Sequence, residues 1–327
     1  MPIKMLDLGR YNRLSIALGS AVVALVSLAR WLGWLSLDDL QFILLLALAI
    51  IVPLAVPLIV QPGGQGPLPT LSRLAILVQP LATFIGGVSL LQARGPLAGA
   101  GATVWLLYTA LLALAGLFLV HHSGCQLADI CLAMALIYAP IGGVWLVQDR
   151  GGIQPLGFSQ ATVLLTAVHF HYIAFVGLVI TGLTIRAIQK RQRAVQRTFY
   201  STVCICMIAD PLLVAVGITL THLTGVHAVE SGAAVLLAVC LIIIALLSLH
   251  AVVPVVSSAA AKVLLAVASS AVVFTMLLAA AYALGAATHA WTITIPQMIA
   301  THGWVNALVF GLCGLVGWQL EHKQRAV

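Results

Sequence analysis

The sequence predicts an all-α fold, a polytopic transmembrane bundle of about ten helices. Two observations carry this prediction. Hydrophobic residues make up 62% of the 327-residue chain and charged residues only 7%, whereas a soluble domain carries roughly 25% charged residues. Apolar runs long enough to cross a hydrocarbon core of about 30 Å recur along the whole length. We therefore expect a single transmembrane domain over residues 1–327.

Each predicted helix corresponds to one of these apolar runs. Within lipid, a segment must satisfy its own backbone N–H and C=O groups, which favours a helix for every run. The first five helices are predicted at about 15–35, 40–60, 72–93, 100–120 and 128–148. The other five are predicted at about 158–185, 198–221, 231–252, 261–286 and 295–319.

Positive charge is divided unevenly between the two sides of the predicted bundle. With an even number of spans both termini share a side, which then holds twelve Lys and Arg residues against three on the other. The positive-inside rule assigns the richer side to the cytoplasm. We therefore predict a bacterial inner-membrane protein with cytoplasmic termini, the lipid bilayer as its partner and no nucleic acid. The twelve are Lys4, Arg10, Arg13, Arg73, Arg186, Lys190, Arg191, Arg193, Arg197, Lys262, Lys323 and Arg325, and the three are Arg30, Arg94 and Arg150.

The stretch TAVHFHYIAF (166–175) places two histidines and a tyrosine in the sixth helix. Ionisable side chains at membrane depth are costly and usually mark a functional site. At 3.6 residues per turn, His169 shares a face with Thr166 and Tyr172, while His171 points away from it. We expect His169 and Tyr172 to face a polar cavity. His171 is expected to donate a hydrogen bond to a neighbouring helix or to meet a second ligand.

Two further helices carry polar groups at a similar predicted depth. In the seventh, Asp210 precedes Pro211, which cannot donate to the carbonyl of Met207 and so tends to kink the helix. A buried carboxyl is neutral unless a cation or imidazolium is near, so Asp210 is a candidate general acid, ion ligand or histidine partner. In the tenth, His302 and Asn306 are four residues apart and form one patch. Asn306 could orient the imidazole, both could contact a ligand, or both could bond a neighbouring helix.

A longer pattern resembles a known family. ALIYAPIGGVWLVQDRGGIQPLGFSQATVLLTAVHFHYIAF (135–175), together with THGWVNALVFG (301–311), is similar to the bacterial YndJ-like membrane family. HFHY alone also resembles the haem-ligating helix of haem–copper oxidases, but the copper motif of that family has no counterpart here. The YndJ-like resemblance carries over no chemistry. It implies that the residues of its pattern share one site: Trp145, Gln154, Pro155, Phe158, His169, His171, His302 and Asn306.

The first functional hypothesis is an intramembrane enzyme. Paired acid and base groups in a low dielectric suit isomerisation, cyclisation or epoxide opening of a lipophilic small molecule, without a cofactor or metal. The predicted catalytic residues are His169, Tyr172, Asp210, His302 and Asn306. The predicted substrate-binding residues are Trp145, Gln148, Gln154, Phe158, Thr166, His171, Glu230 and Gln297.

Two alternatives remain open. Histidines on different helices at one depth can ligate haem, and a haem- or metal-binding redox protein would use His169, His171 and His302 as ligands. A proton-coupled transporter would use the break at Asp210 and Pro211 as a coupling site near the bilayer midplane.

Overall fold

The chain forms a helical membrane protein. A computed structural model describes residues 7–60, 66–122, 124, 126–189 and 194–325. These residues include ten helices long and apolar enough to cross a membrane, and they include no strand, which confirms the predicted fold class. Lys4, Lys190, Arg191 and Arg193 lie outside the described residues, and the side on which the termini lie stays a prediction.

The ten spanning helices have the following bounds. They are α1 (Leu8–Trp31), α2 (Asp39–Ile59), α3 (Pro67–Leu91), α4 (Pro96–His122), α5 (Leu127–Gly151), α6 (Gln160–Ile188), α7 (Gln196–Thr224), α8 (Ala228–Val255), α9 (Ala259–Thr288) and α10 (Ile295–Gln324).

Local capping explains where several helices begin. The Asp7 side chain accepts a hydrogen bond from the N–H of Arg10, so α1 begins seven residues before the predicted apolar run. Asp38 and Thr294 form capping boxes with Gln41 and Gln297 at the starts of α2 and α10. In α1 the polar first turn precedes the apolar segment, so hydropathy alone places that boundary too late, whereas the predicted starts of α2 and α10 lie within one residue of the observed ones.

The chain divides into two compact units, and each is described by itself. The first comprises Met1–His121 and Leu136–His171, and the second comprises His122–Ala135 and Tyr172–Val327. The expectation of a single domain stays a prediction. In the first unit α2 is the most apolar helix and is also the most enclosed, with 94% of its most apolar window buried against 17% for α1. A helix that is apolar on all sides belongs inside the protein.

Four helices contain stretches with π-helical hydrogen bonding. These are Ala47–Ile51 in α2, Phe170–Gly177 in α6, Ser248–Val252 in α8, and Ile299–Gly303 with Val305–Cys313 in α10. A π turn holds more residues than an α turn, so side chains beyond it no longer follow the 3.6-residue phase. Three of these stretches coincide with the polar motifs of α6 and α10, and π segments often accompany functional sites.

Candidate functional site

In the first unit, the imidazole of His171 lies in the interior. It is 1% exposed, and its Nε2 accepts a 2.9 Å hydrogen bond from the indole Nε1 of Trp105 on α4. Its Nδ1 lies 2.8 Å from the carbonyl oxygen of Ala167. Because an indole N–H only donates and a carbonyl only accepts, the ring is neutral with its proton on Nδ1. Trp105 therefore donates to His171, the reverse of the expected direction.

A glycine of α5 makes room for this ring. A Cβ atom at Gly142 would lie 2.6 Å from Nδ1 of His171. The adjacent Gly143 allows a similarly close approach, since a Cβ there would lie 2.8 Å from Oγ1 of Thr109. The Gly-Gly pair of the motif APIGGVW thus permits α4 and α6 to pack closely on α5 within this unit.

His169 does not follow the predicted phase. Its side chain is exposed, and its Nδ1 donates to the carbonyl of Leu165 at 2.9 Å. Tyr172, expected on the same face, is 5% exposed. The expectation that the two share a face fails because the helix changes from α to π at Phe170, between them. The exposed position leaves Nε2 of His169 without a hydrogen bond within the described residues.

The remaining predicted binding residues of the first unit are distributed along its polar end and α6. The rings of Trp145 and Phe158 lie edge to face with centroids 6.2 Å apart. Thr166 donates to the carbonyl of Thr162 within its own helix. The backbone carbonyl of Gln148 accepts from Ile153, and Gln154 is exposed. Thus Trp145 and Phe158 are brought together, and a binding role for all of them stays a prediction.

A buried ion-pair network at this end was missed by the sequence analysis. The fully buried carboxylate of Asp149 lies 3.1 Å from Arg94 and 3.2 Å from Arg150, and Gln160 donates to it at 2.8 Å. Arg150 also donates to the carbonyl of Gln92 at 2.6 Å. The network connects the ends of α3, α4, α5 and α6. The sequence analysis had used both arginines only to assign sides of the membrane.

A second missed feature is a polar network at the break in α2. Pro53 has no N–H, so the carbonyl of Leu48, which the π pattern would pair with it, needs another donor. Thr83 of α3 donates to that carbonyl at 3.0 Å. Gln79 donates to the Thr83 hydroxyl at 2.6 Å and accepts from Ser15 of α1 at 2.5 Å.

The second proline of α2 is compensated in the same way. Pro57 cannot donate to the carbonyl of Pro53, and Asn12 of α1 donates to it at 3.3 Å instead. Gly19 approaches the neighbouring Ala49 carbonyl so closely that a Cβ would lie 2.3 Å from its oxygen. The spacing of Pro53 and Pro57 was the sequence signal that polar partners for α2 had to come from other helices.

In the second unit, Asp210 is the middle residue of α7 and is 0% exposed. Neither carboxyl oxygen has a hydrogen-bond partner within the described residues. Its surroundings include the thiol of Cys240 on α8, which also interacts with Cys206 one turn before Asp210. Pro211 lies inside the helix, as predicted from the sequence. A buried carboxyl without a partner is costly, which makes Asp210 the strongest candidate for a functional group in this unit.

His302, Asn306 and Thr275 form a closed hydrogen-bonded cluster between α9 and α10. Nδ1 of His302 lies 3.0 Å from the backbone oxygen of Thr275, and Nδ2 of Asn306 lies 3.1 Å from Nε2 of His302. The Thr275 hydroxyl donates to Oδ1 of Asn306 at 2.7 Å. Thr275 was not identified from the sequence, because a hydroxyl in an apolar helix is usually satisfied by its own backbone.

The second unit also contains the predicted residues Tyr172, Glu230 and Gln297. The ring of Tyr172 packs at Gly311, where a Cβ would lie 3.5 Å from it. Glu230 lies 3.6 Å from His227 at the start of α8. Gln297 belongs to the capping box of α10. A site shared by His169 of the first unit with Asp210 and His302 of the second stays a prediction.

The histidines were also tested as haem ligands. Haem binds the lone pair of an imidazole nitrogen, and on His171 and His302 the Nε2 lone pair is already engaged by Trp105 and by Asn306. Iron would have to displace these donors. Across the described ranges, no group of three or more His, Cys, Asp or Glu side chains is arranged to hold a metal ion. His171 and His302 therefore do not offer a free Nε2 to iron, whereas Nε2 of His169 is exposed, and haem binding stays a prediction.

The helices and their polar interiors define a multi-pass membrane protein. The sequence model of the YndJ-like proteins matches residues 42–310, and the chain belongs to this family. It is 30% identical over 246 residues to the uncharacterized membrane protein YndJ of Bacillus subtilis (strain 168). This alignment covers 74% of the chain but only 41% of the relative, so the chain spans about two fifths of the relative's length. No solved structure matches the chain.

Proposed function

We propose that this YndJ-like protein is a proton-coupled membrane transporter and that Asp210 carries the coupled proton. The observation that carries the proposal is the pair of carboxyl oxygens of Asp210, buried at the middle of α7 without a hydrogen-bond partner in the described part of the chain. A carboxyl in this position gains stabilisation by binding a proton when it faces the apolar interior. It can release that proton when a conformational change exposes it to water.

Prolines within spanning helices support transport. In α7, Pro211 follows Asp210 within a continuous α-helix, and in α2 a π-helical stretch precedes Pro53 and Pro57. A proline beside an ionisable side chain inside a spanning helix is typical of transporter coupling sites. Pro80 of α3 and Pro140 of α5 also lie inside spanning helices. On α3, the polar side chain of Thr83 donates to the carbonyl of Leu48 in α2.

The states of the histidines favour transport over two-group acid–base catalysis. Catalysis of the predicted kind needs an acid and a base that are both open to the substrate. Both ring nitrogens of His171 and of His302 are engaged by protein groups. The carboxyl of Asp210 is buried and has no hydrogen-bond partner in the part of the chain that the structure describes, and one such group suffices for proton coupling.

Proton flux in proteoliposomes tests the proposal. Purified full-length protein is reconstituted with an internal pH dye and exposed to defined amino acids, sugars and organic acids, one at a time. We expect at least one solute to drive proton movement in the wild type and in Asp210→Glu, but not in Asp210→Asn. Solute-driven flux that is undiminished in Asp210→Asn would remove Asp210 from the mechanism.

An intramembrane enzyme is the second candidate, and the position of His169 favours it. The side chain is exposed on a membrane-spanning helix, and its Nε2 has no hydrogen bond in the described ranges. A lipophilic small molecule in the bilayer could therefore reach a free base. Mass spectrometry of lipid-soluble compounds incubated with wild type and His169→Gln tests this candidate. A product formed by the wild type and lost in the variant supports it, and unchanged compounds in both samples oppose it.

A further inference from the structure

The cluster of Thr275, His302 and Asn306 fixes the protonation state of its imidazole. The Thr275 backbone oxygen can only accept, so Nδ1 of His302 carries the proton at this 3.0 Å contact. The Thr275 hydroxyl donates to Oδ1 of Asn306 at 2.7 Å, which directs the Asn306 amide nitrogen towards Nε2 at 3.1 Å. Nε2 therefore accepts. The three hydrogen bonds of the cycle form together when His302 is neutral.

The same side chains can satisfy a protonated imidazole after one rearrangement. Oγ1 of Thr275 also lies 3.2 Å from the carbonyl oxygen of Val272, so its hydroxyl has a second acceptor in place. If the Asn306 amide turns over, Oδ1 accepts from the new Nε2–H and the amide nitrogen donates to the Thr275 oxygen. The Thr275 hydroxyl then donates to Val272. Each hydrogen bond that the rearrangement breaks is thus replaced by another within the cluster or to Val272.

We propose that Thr275, His302 and Asn306 form a reversible proton-binding site with two hydrogen-bonding states. The proton is the ligand, and it binds at Nε2 of His302. The Asn306 amide and the Thr275 hydroxyl change direction with it. This site is separate from the proposed role of Asp210 and does not require transport.

Several titratable groups lie on the helices that form the cluster or pack against it. On the two helices that form the cluster, Tyr282 is seven residues from Thr275 and Cys313 is seven from Asn306, each about 10 Å along its helix. The charged side chains of α9 and α10 lie more than three turns from the cluster along their helices. From α6, Tyr172 packs at Gly311. The titratable residues are Lys262, Tyr282 and His289 on or next to α9, Cys313, Glu321, His322 and Lys323 on α10, and Glu230, Cys240 and His250 on α8.

The location on a π-helical stretch gives the switch a structural consequence. His302 lies in one π segment of α10 (Ile299–Gly303) and Asn306 lies in the next (Val305–Cys313), with Trp304 between the two segments. The two side chains hold these segments to Thr275 through hydrogen bonds whose directions depend on the proton. Proton binding thus changes the contacts between α9 and α10 without breaking the contact of His302 with the Thr275 backbone.

Nuclear magnetic resonance of histidine labelled with nitrogen-15 tests the site directly. Full-length protein in lipid nanodiscs is titrated between pH values of about 5 and 8, the range in which histidines change charge. Signals of His302 are assigned by their loss in His302→Gln. We expect the Nδ1–H tautomer at the alkaline end and reversible protonation at Nε2 on acidification, with Nδ1 protonated throughout.

A second variant keeps the test independent of the assignment. In Asn306→Asp, one carboxylate oxygen accepts from Nε2–H and the other accepts from Thr275, so the protonated state is fixed. We expect His302 to remain an imidazolium over the whole titration in this variant. An Nε2–H tautomer in the neutral wild type, or no Nε2 protonation across the range, overturns the proposal. Loss of solute-driven proton flux in Asp210→Asn alone leaves it unaffected, so the two proposals fail separately.

Discussion

The indole of Trp105 donates a 2.9 Å hydrogen bond to Nε2 of His171, and the two rings stack with their centroids 6.0 Å apart. This contact explains why an imidazole can lie inside an apolar bundle. The ring stays neutral because its remaining nitrogen donates to the carbonyl of Ala167. His171 is therefore a packing residue of the first unit, and it holds α4 and α6 together.

Removing the indole N–H should destabilise the first unit. In Trp105→Phe, Nε2 of His171 loses its donor while most of the aromatic packing remains. An unsatisfied buried acceptor costs about 1–3 kcal/mol. Thermal unfolding in detergent, followed by intrinsic fluorescence or circular dichroism, should show a lower midpoint than the wild type. Trp145→Phe is the matched control, and an equal loss in both variants would contradict the role given to the Trp105 N–H.

Adding one methyl group at Gly142 should disturb the same contact. The new Cβ would lie 2.6 Å from Nδ1 of His171, so the imidazole or α5 must move. Overpacking of this kind costs about 1–3 kcal/mol. We expect a lower unfolding midpoint for Gly142→Ala. Gly232→Ala is the control, because a Cβ at Gly232 meets nothing within 4 Å. Unchanged stability of Gly142→Ala would show that the ring is not confined.

The polar network at the α2 break should be sensitive to loss of a single hydroxyl. Thr83→Val keeps the side-chain shape but removes the donor to Leu48 and the acceptor for Gln79. We expect destabilisation of about 1–3 kcal/mol because buried polar groups lose partners. Thr202→Val is the control, since Thr202 is exposed and bonds only to its own helix. Equal stability of the two variants would show that the break needs no donor from α3.

The occupied Nε2 atoms of His171 and His302 predict that neither histidine ligates haem. Trp105 and Asn306 donate hydrogen bonds to the Nε2 atoms with which His171 and His302 would bind iron. Protein purified from cells supplied with a haem precursor should show no Soret absorption band that depends on either histidine. A stoichiometric band that disappears in His171→Gln or His302→Gln would instead establish the redox hypothesis.

The sequence was sufficient for the helices and insufficient for the orientation of their side chains. Low charge and repeated apolar runs determine ten spans because lipid leaves few other folds. Phase arguments around His169 and Tyr172 failed because they assume 3.6 residues per turn and the π segment begins at Phe170. The motif HFHY contains no periodicity that predicts the change from α- to π-helical hydrogen bonding.

The neutral polar residues were harder to identify than the ionisable ones. Asp210 and His302 were selected because charge in a membrane is costly. Gln79 and Thr83 were not predicted from the sequence. The prolines of α2 nevertheless implied that carbonyl groups of α2 needed hydrogen-bond donors from other helices. Which helices supply such donors depends on tertiary packing, and a single sequence does not contain that information directly.

The central claim is that Asp210 binds and releases a proton inside the membrane. Infrared difference spectroscopy of the full-length protein in lipid, recorded while the pH is stepped, measures this directly through the C=O stretch of a protonated carboxyl group. We predict a reversible carboxyl band in the wild type that is absent in Asp210→Asn and displaced in Asp210→Glu. A wild-type spectrum whose carboxyl bands are all retained in Asp210→Asn would contradict the account.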